Sequence, residues 1–398
     1  MTMHSIEKTP NTGMPSAEME YDVVVVGGGV MGATMAAALV EQNIKTIVVE
    51  KGCCGAQGAS RYSGGLTRLY DPDPDIMALA AHSHHCLSST HFGRVFNSTI
   101  QRKGLIYMCD EAELGSLNDA ITSIGNSDYP MRLLQSGEAL QITEFVAEKQ
   151  GRAILYEEKA GQGDVRGSVA AMANLVKNNG VVLENSTVLD IEQRDNVAYI
   201  HLERGLLKAK VVVIAGGAWS APWLPELKQI TRSIPLVRLF ASLPLKIPII
   251  DTVAETYAVP LNGNLVHVGS QVRQEAKSPD TPFTHDGSEH IDALKRLSML
   301  SGRTETGPIY DTLPGFDSYV PDRRPVIGFL SSSDSRYALT GMAGIGYKLA
   351  VGVADIGAQQ IIKRLGKISS KNDVSVNKPQ SESLLLPFSP SRLEPSFL

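Results

Sequence analysis

The chain has 398 residues, 43% of them hydrophobic, so a disordered protein is excluded and two domains with a sizeable core are expected. Its 37 basic and 42 acidic residues leave a net charge of -5, which excludes the broad basic field that nucleic-acid binding needs. The four cysteines (Cys53, Cys54, Cys86 and Cys109) follow neither a zinc-site spacing nor a disulfide framework, so we expect a reducing, cytoplasmic compartment.

Two kinds of pattern divide the chain after a polar leader, 1–19, which we expect to be disordered. One kind pairs buried strands with amphipathic helices and predicts a discontinuous sheet domain. The other alternates polar and β-branched residues and predicts an antiparallel-sheet domain inserted twice. No stretch approaches 18 apolar residues, so no membrane span is expected. The first kind occupies 20–91, 151–233 and 320–366, and the second occupies 92–150 and 234–319.

The first predicted strand runs into a G-x-G-x-x-G turn formed by Gly27, Gly28, Gly29, Val30, Met31 and Gly32. A helix over 33–42 and a second strand over 46–50 follow. The first glycine of the pattern permits the tight turn, the second lets the backbone reach a pyrophosphate, and the third lets the helix pack on the sheet. Glu50 ends the second strand, where its carboxylate can accept both ribose hydroxyls. This combination predicts a dinucleotide site with phosphates at the helix amides.

The fingerprint alone leaves the choice between NAD and FAD open. The next segment, 52–68, carries five glycines and three serine or threonine hydroxyls. Such a loop can follow a long cofactor outward, whereas a nicotinamide enzyme would normally enter its next crossover helix here.

A cluster of His82, His84, His85 and Cys86 invites comparison with a metal site. On a helix, His82 and Cys86 share a face while His84 points away, and no second cluster in the sequence completes a ligand set. We therefore expect a helix surface and no metal.

Four later motifs follow in chain order, 211–220, 321–328, 341–348 and 388–392. With the fingerprint, the loop and the segment 161–168, they make the sequence resemble the D-amino-acid oxidase family of flavoproteins, in its glycine oxidase and sarcosine oxidase branch. The resemblance covers about 21–365 and the tail.

The resemblance implies an α/β fold in which a Rossmann-like FAD-binding domain carries an α+β substrate domain. FAD is expected to be non-covalent, since Gly315 stands where sarcosine oxidases attach it through a cysteine. The helix that begins at 344–347 would present its amides to the flavin. The expected cofactor-binding residues are Gly27, Gly28, Gly29, Val30, Met31, Gly32, Glu50, Lys51, Ser60, Ser63, Gly64, Gly65, Leu66, Val188, Ala215, Gly216, Trp219, Gly344, Ile345, Gly346, Tyr347 and Lys348.

Two departures from the family bear on the substrate. Asp317 and Asp71 stand where glycine oxidases and sarcosine oxidases, respectively, carry the arginine that grips the substrate carboxylate. Lys348 matches a lysine beside that carboxylate, so one anion contact is expected to survive. An acid near the flavin could bind the ammonium group of a polyamine, a cationic amino acid or a larger amine. Alternatively, both acids are exposed loop residues, since Asp71 opens a Pro- and Asp-rich turn sequence.

His267 matches a lysine that helps oxygen react in sarcosine oxidases, and a protonated histidine could stabilise the same developing charge. The alternative is an exposed strand histidine. Arg68 either lies near the flavin or pairs with the aspartates that follow it. We therefore take His267, Arg68, Lys348 and Asp317 as the candidate catalytic residues.

The resulting hypothesis is an FAD-dependent oxidoreductase that oxidises the C–N bond of an amine or amino acid to an imine. The electrons would pass to O2, giving H2O2, or to another acceptor. One alternative is a flavin-dependent monooxygenase or halogenase, although Pro321-Asp322 replaces the Gly-Asp pair of those families. Another is a flavin-binding subunit or maturation partner, with the apolar tail within 367–398 docked on the body or on a protein partner.

Overall fold

The computed structural model describes residues 19–135, 137–146, 151–276, 279–280, 283–367 and 378–393. The predicted leader, apart from Met19, and residues 368–377 of the predicted linker lie outside the described residues.

The described residues form twenty strands, and three of them contain runs of four β-branched residues, at 23–26, 46–49 and 211–214. In chain order they are β1 (Met19–Val26), β2 (Thr46–Val49), β3 (Leu66–Thr67), β4 (Ile100–Arg102), β5 (Leu105–Asp110), β6 (Met131–Leu133), β7 (Arg152–Glu157), β8 (Gly161–Gly163), β9 (Val181–Leu183), β10 (Val188–Arg194), β11 (Val197–Leu202), β12 (Gly205–Ile214), β13 (Ile230–Phe240), β14 (Ile249–Asp251), β15 (Thr256–Asn262), β16 (Leu265–Gly269), β17 (Glu275–Ala276), β18 (Ile309–Tyr319), β19 (Val326–Phe329) and β20 (Arg336–Thr340).

Ten α-helices connect or cover these strands in the described part of the chain. They are α1 (Val30–Glu41), α2 (Gly58–Tyr62), α3 (Pro74–Ser89), α4 (His91–Asn97), α5 (Leu114–Ser123), α6 (Glu138–Thr143), α7 (Val165–Asn179), α8 (Ser288–Ser301), α9 (Gly346–Arg364) and α10 (Lys378–Ser383). None of the helices described here is both long and apolar enough to cross a membrane.

The first domain is built on an eight-stranded sheet around β1. The central strand β1 lies parallel to both β2 and β12, and β9 extends the sheet beyond β2. The carboxyl-terminal half of β12 pairs in parallel with β20, while β10 and β11 continue antiparallel from its other half. Val23 to Val26 are all buried because the sheet is covered on both faces, with α1 against α7 and α9 on one of them.

The second domain is a nine-stranded sheet in the order β17-β13-β16-β15-β14-β5-β7-β6, with β18 paired along β13. All of its pairs are antiparallel except β5 with β14. One face packs on α8 through a core that includes Leu239, Val268 and Leu297. The predicted fold class, α/β with a second sheet domain, is confirmed.

Two domain boundaries differ from the prediction. The strand β7 was assigned to the first domain, but it pairs with β5 and β6 of the second sheet. Conversely, α4 was assigned almost entirely to the second domain, but it packs on α3 and α7, and Phe96 is buried in their core. A short strand or helix has the same local pattern whichever core it joins, so these boundaries depend on tertiary packing.

The apolar tail docks on the body of the protein itself. Phe388 is fully buried, and the guanidinium of Arg324 lies 5.0 Å from the centroid of its ring. Arg392 donates to Asp322 at 2.7 Å, so the acid of the Pro-Asp pair anchors the tail. The large hydrophobes of the described tail therefore give no support to a protein partner, apart from Leu386, whose side chain stays exposed.

Candidate active site

A cavity of about 690 Å3 has walls from both sheets. One end meets the turn between β1 and α1, and another wall comes from β13, β15 and β18 of the second domain. The start of α9 also faces it, after Ala343 and Gly344, which both adopt positive φ. At Gly344 a side chain would meet the Asp317 carboxylate, since an added Cβ would lie 3.1 Å from Oδ2.

The end of the cavity near α1 is shaped for a dinucleotide. The Val30 amide donates to Ser60 Oγ at 2.9 Å, at the amino-terminal turn of α1 where the helix dipole favours an anion. Glu50 accepts from the amides of Gly28 at 2.7 Å and Gly52 at 2.9 Å, and it still lines the cavity. Each carboxylate oxygen keeps a lone pair for a ribose hydroxyl.

The glycines of the fingerprint serve two different purposes. A Cβ at Gly32 would lie 2.0 Å from the Gly27 carbonyl oxygen, and a Cβ at Gly27 would lie 2.5 Å from the Ala215 carbonyl oxygen. These two are required by close packing of the protein itself. A Cβ at Gly29 would meet only Ser60 Oγ, at 3.2 Å. That open space is what a pyrophosphate needs, so the residues present fit FAD.

Nearly all of the predicted site residues line this one cavity. The exceptions are Gly28, Gly32 and His267. Gly28 packs against Glu50 and Cys54, where an added Cβ would lie 2.5 Å from Sγ, so this glycine supports the site from behind.

Asp71 is buried, with 8% of its surface exposed, and is not the exposed turn residue that one interpretation expected. Its Oδ2 lies 2.7 Å from Lys348 Nζ and 3.6 Å from Arg68 Nη2. Burial opposes the charge of Asp71, but Lys348 and Arg68 hold its pKa below the ordinary value. Lys348 is therefore committed to an internal carboxylate, which corrects the expectation of a free anion contact.

Arg68 and Lys348 both line the cavity, and Asp71 lies behind them. Burial and the neighbouring Arg68 lower the pKa of Lys348 to about 8, against the pull of Asp71. Arg68 Nη1 is buried with no hydrogen-bond partner among the described residues. This wall thus offers Arg68 Nη1 as an unpartnered donor to a ligand, while Lys348 and Arg68 share the Asp71 carboxylate.

Asp317 lies inside the cavity on β18, which removes the exposed-loop interpretation for it. Burial raises its pKa to about 6, although Arg273 opposes the shift. Tyr257 and Tyr319 also line this part of the cavity and interact electrostatically with its carboxyl group. The arrangement can hold or accept a proton near neutral pH.

His267 does not lie where the oxygen hypothesis needs it. It is 7% exposed on β16, beside Arg238 and Val259 on the neighbouring strands. Burial, assisted by Arg238, lowers its pKa to about 4, and neither ring nitrogen has a hydrogen-bond partner in the described structure. The expectation of a protonated histidine at the cavity is therefore wrong.

Arg273 was missed in the sequence. It lines the cavity, and its positive charge acts on the Asp317 carboxyl group. It lies in an irregular segment after β16, and no motif marks it. Phe316 was also missed; its ring lies 5.1 Å, centroid to centroid, from that of Trp219. Because side chains alternate along a strand, the position of Asp317 in β18 could have indicated that Tyr319, two residues further on, lies on the same face.

His82 and Cys86 share one face of α3 as expected, and Asp355 of α9 joins them. His82 Nε2 lies 3.1 Å from Asp355 Oδ2 and 3.4 Å from Cys86 Sγ. The third residue comes from 273 positions further along the chain, so the sequence pattern could not reveal it. Burial raises the pKa of the Cys86 thiol well above its ordinary value, which disfavours the thiolate that binds metals. The absence of a metal stays a prediction.

Comparison with known proteins gives one family. The FAD-dependent oxidoreductase family known as DAO matches residues 22–360. A glycine oxidase of Geobacillus kaustophilus is 26% identical over 262 residues, which cover 63% of this chain and 70% of the relative. The gamma-glutamylputrescine oxidoreductase of Escherichia coli is 27% identical over 229 residues, which cover 54% of this chain and 53% of the relative. The alignment thus spans only about half the length of the second relative.

Solved structures extend the likeness over nearly the whole chain. The G. kaustophilus glycine oxidase has a TM-score of 0.74 and 23% identity, covering 94% of this chain and 99% of its own. The L-proline dehydrogenase of P. horikoshii has a TM-score of 0.79 and 19% identity, covering 95% of this chain and 99% of its own. At these identities the likeness establishes the fold.

Proposed function

The chain belongs to the DAO family of FAD-dependent oxidoreductases, and from that premise we propose that it oxidises the C–N single bond of an amine or amino acid. The predictions of the family, of FAD as the cofactor and of an FAD-dependent oxidoreductase are confirmed by this membership. The substrate, the electron acceptor and the role of each site residue belong to the proposal.

One observation carries the proposal. A single cavity joins the open space at Gly29 to the part lined by Asp317, Tyr257 and Tyr319, which we call the chamber. The first end suits the pyrophosphate of FAD, and the second suits a small polar substrate. A substrate in the chamber would thus lie on the same cavity as the cofactor, as C–N oxidation requires.

Bound FAD would supply a two-electron acceptor for the hydride that leaves the carbon next to nitrogen. The residues of the chain would prepare the substrate for this loss. Asp317 would hold the amino group and accept its proton, and Tyr257 and Tyr319 would shield the chamber from water. The substrate would leave as an imine, and water would then convert it to a carbonyl compound and ammonia or an amine.

Arg68 Nη1, as a buried unpartnered donor, would hold an electron-rich atom of the cofactor or substrate. The acceptor of the electrons is O2 in our proposal. The alternative acceptors are a quinone and another protein. A cytoplasmic location is proposed on the four free cysteines alone.

The test is turnover of the purified protein with a panel of amines and amino acids in an oxygen electrode. We expect one substrate class to consume O2 and to yield peroxide and a carbonyl product in equal amounts. If the carbonyl product forms only when a quinone is added, the quinone takes the place of O2 as the electron acceptor. No carbonyl product from any amine, with or without a quinone, would contradict the proposal.

A further inference from the structure

Two opposite charges face the cavity without a partner of their own. Asp317 projects from β18 and Arg273 follows β16, and both line the cavity. Neither side chain makes a hydrogen bond or an ion pair with any residue in the described ranges, although the backbone of Asp317 is paired with β13. Both side chains line the same cavity, where a ligand can reach each of them, and the charge of Arg273 acts on the Asp317 carboxyl group.

The other three cations that line the cavity each have an acidic side chain close by, Asp280 for Lys51 and Asp71 for Lys348 and Arg68, although Arg68 Nη1 itself is unpartnered. Asp71 lies 2.7 Å from Lys348 Nζ and 3.6 Å from Arg68 Nη2, and its side chain is 9% exposed. A substrate carboxylate at this wall would compete with an anion that the protein holds in place at close range. Arg273 has no such internal competitor.

The surroundings of Asp317 suit a cation. Tyr257 and Tyr319 lie near its carboxyl group, and Ile234 and Leu236 supply apolar wall between the strands. Aromatic faces attract an ammonium group, and an apolar wall strengthens its attraction to a carboxylate. Arg273, by contrast, is exposed at the rim, where a guanidinium can reach a carboxylate bidentately.

We infer that Asp317 and Arg273 bind the two ends of one zwitterion, so the substrate is an amino acid with its amino group at Asp317 and its carboxylate at Arg273. This inference rests on the proposed function of the same cavity. It assigns the carboxylate to a residue outside the motifs that the sequence shares with its family.

Three ligands of nearly equal size test the inference by equilibrium calorimetry on the FAD-loaded protein. They are N,N,N-trimethylglycine, which carries both charges, 3,3-dimethylbutyrate, which carries only the anion, and ethyltrimethylammonium, which carries only the cation. None has a nitrogen lone pair to form an imine, so binding is measured without turnover. We expect the zwitterion to bind about tenfold more tightly than either of the others.

Two variants test the binding of each charge separately. Arg273→Gln should weaken the zwitterion and the anion by about tenfold and leave the cation unchanged, with partial rescue in Arg273→Lys. Asp317→Asn should weaken the zwitterion and the cation and leave the anion unchanged. The controls are Arg204→Gln and Asp195→Asn, exposed residues that do not line the cavity.

Equal weakening of all three ligands by Arg273→Gln, or no preference of the native protein for the zwitterion, would overturn the inference. Failure of the proposed function has a different signature. In that case no amine would yield a carbonyl product in turnover. The calorimetric affinities would still show Arg273→Gln weakening the anion and Asp317→Asn weakening the cation.

Discussion

At the residue scale, the cavity is distinguished by which of its charges are paired. Lys348 and Arg68 share the buried Asp71, while Asp317 and Arg273 are left to a ligand. Lys348 and Asp317 could be picked from the sequence because they fall in motifs of the family. The pairing of Lys348 with Asp71 could not be predicted, since the two residues are 277 positions apart and meet only through packing.

Replacing Asp71 with Asn should destabilise the fold, because Lys348 and Arg68 would lose their nearest anion in a buried wall. We expect the free energy of unfolding at pH 7 to fall by about 3 kcal/mol, measured by urea denaturation. The penalty should shrink above pH 8, where Lys348 sheds its proton. Asp75→Asn is the control, since that carboxylate pairs with Arg324 near the surface and should cost about 1 kcal/mol or less. An equal loss of unfolding free energy in the two variants would contradict the buried pairing of Asp71 with Lys348 and Arg68.

The raised pKa of Asp317, about 6, predicts a pH dependence of cation binding. Below pH 6 the carboxyl group is neutral and attracts a cation weakly, and above pH 6 it is charged. The affinity for ethyltrimethylammonium should therefore rise between pH 5 and pH 7 and then level off. In Asp317→Asn the profile should be flat, and an unchanged slope in that variant would assign the titration to another group.

At the element scale, β1, α1 and β2 could be predicted closely because periodicity and the glycine spacing act together there. The helix α1 begins at Val30, three residues before the predicted start, since Gly29 already occupies its amino-terminal cap. The strand β7 was placed in the wrong domain because its alternating burial suits either sheet. Arg273 follows an irregular path, so its position depends on how the second domain folds over the first.

The glycines of the β1–α1 turn provide a matched pair of variants. Gly32→Ala should lower the thermal midpoint of the cofactor-free protein, since its Cβ would lie 2.0 Å from the Gly27 carbonyl oxygen. Gly29→Ala should leave that midpoint nearly unchanged and reduce the ratio of bound FAD to protein. The readings are differential scanning calorimetry and flavin absorbance. Full FAD content in folded Gly29→Ala would contradict the assigned phosphate site.

The docked tail predicts a contrast between two neighbouring residues. Phe388 is fully buried, so Phe388→Ala should lower the free energy of unfolding by about 3 kcal/mol. Leu386 is 69% exposed, so Leu386→Ala should change it by about 0.5 kcal/mol or less. Urea denaturation of both variants measures the difference. A small effect at Phe388 would mean that the tail does not contribute to the folded core.

At the scale of the whole molecule, the two sheets create a chamber that neither could form alone. The first domain supplies the dinucleotide turn and the start of α9, and the second supplies Asp317 and Arg273. Composition and motifs indicated the first domain well, because cofactor binding leaves glycine patterns in the sequence. Substrate binding leaves no such pattern, since it depends on single side chains brought together by long-range strand pairing.

The most direct test of the account is anaerobic mixing of the FAD-loaded protein with one equivalent of an amino acid, following the flavin band at about 450 nm. The account predicts that the active amino acid bleaches the band and leaves one carbonyl product per flavin. Bleaching by NADPH, with no bleaching by any amine or amino acid, would contradict it.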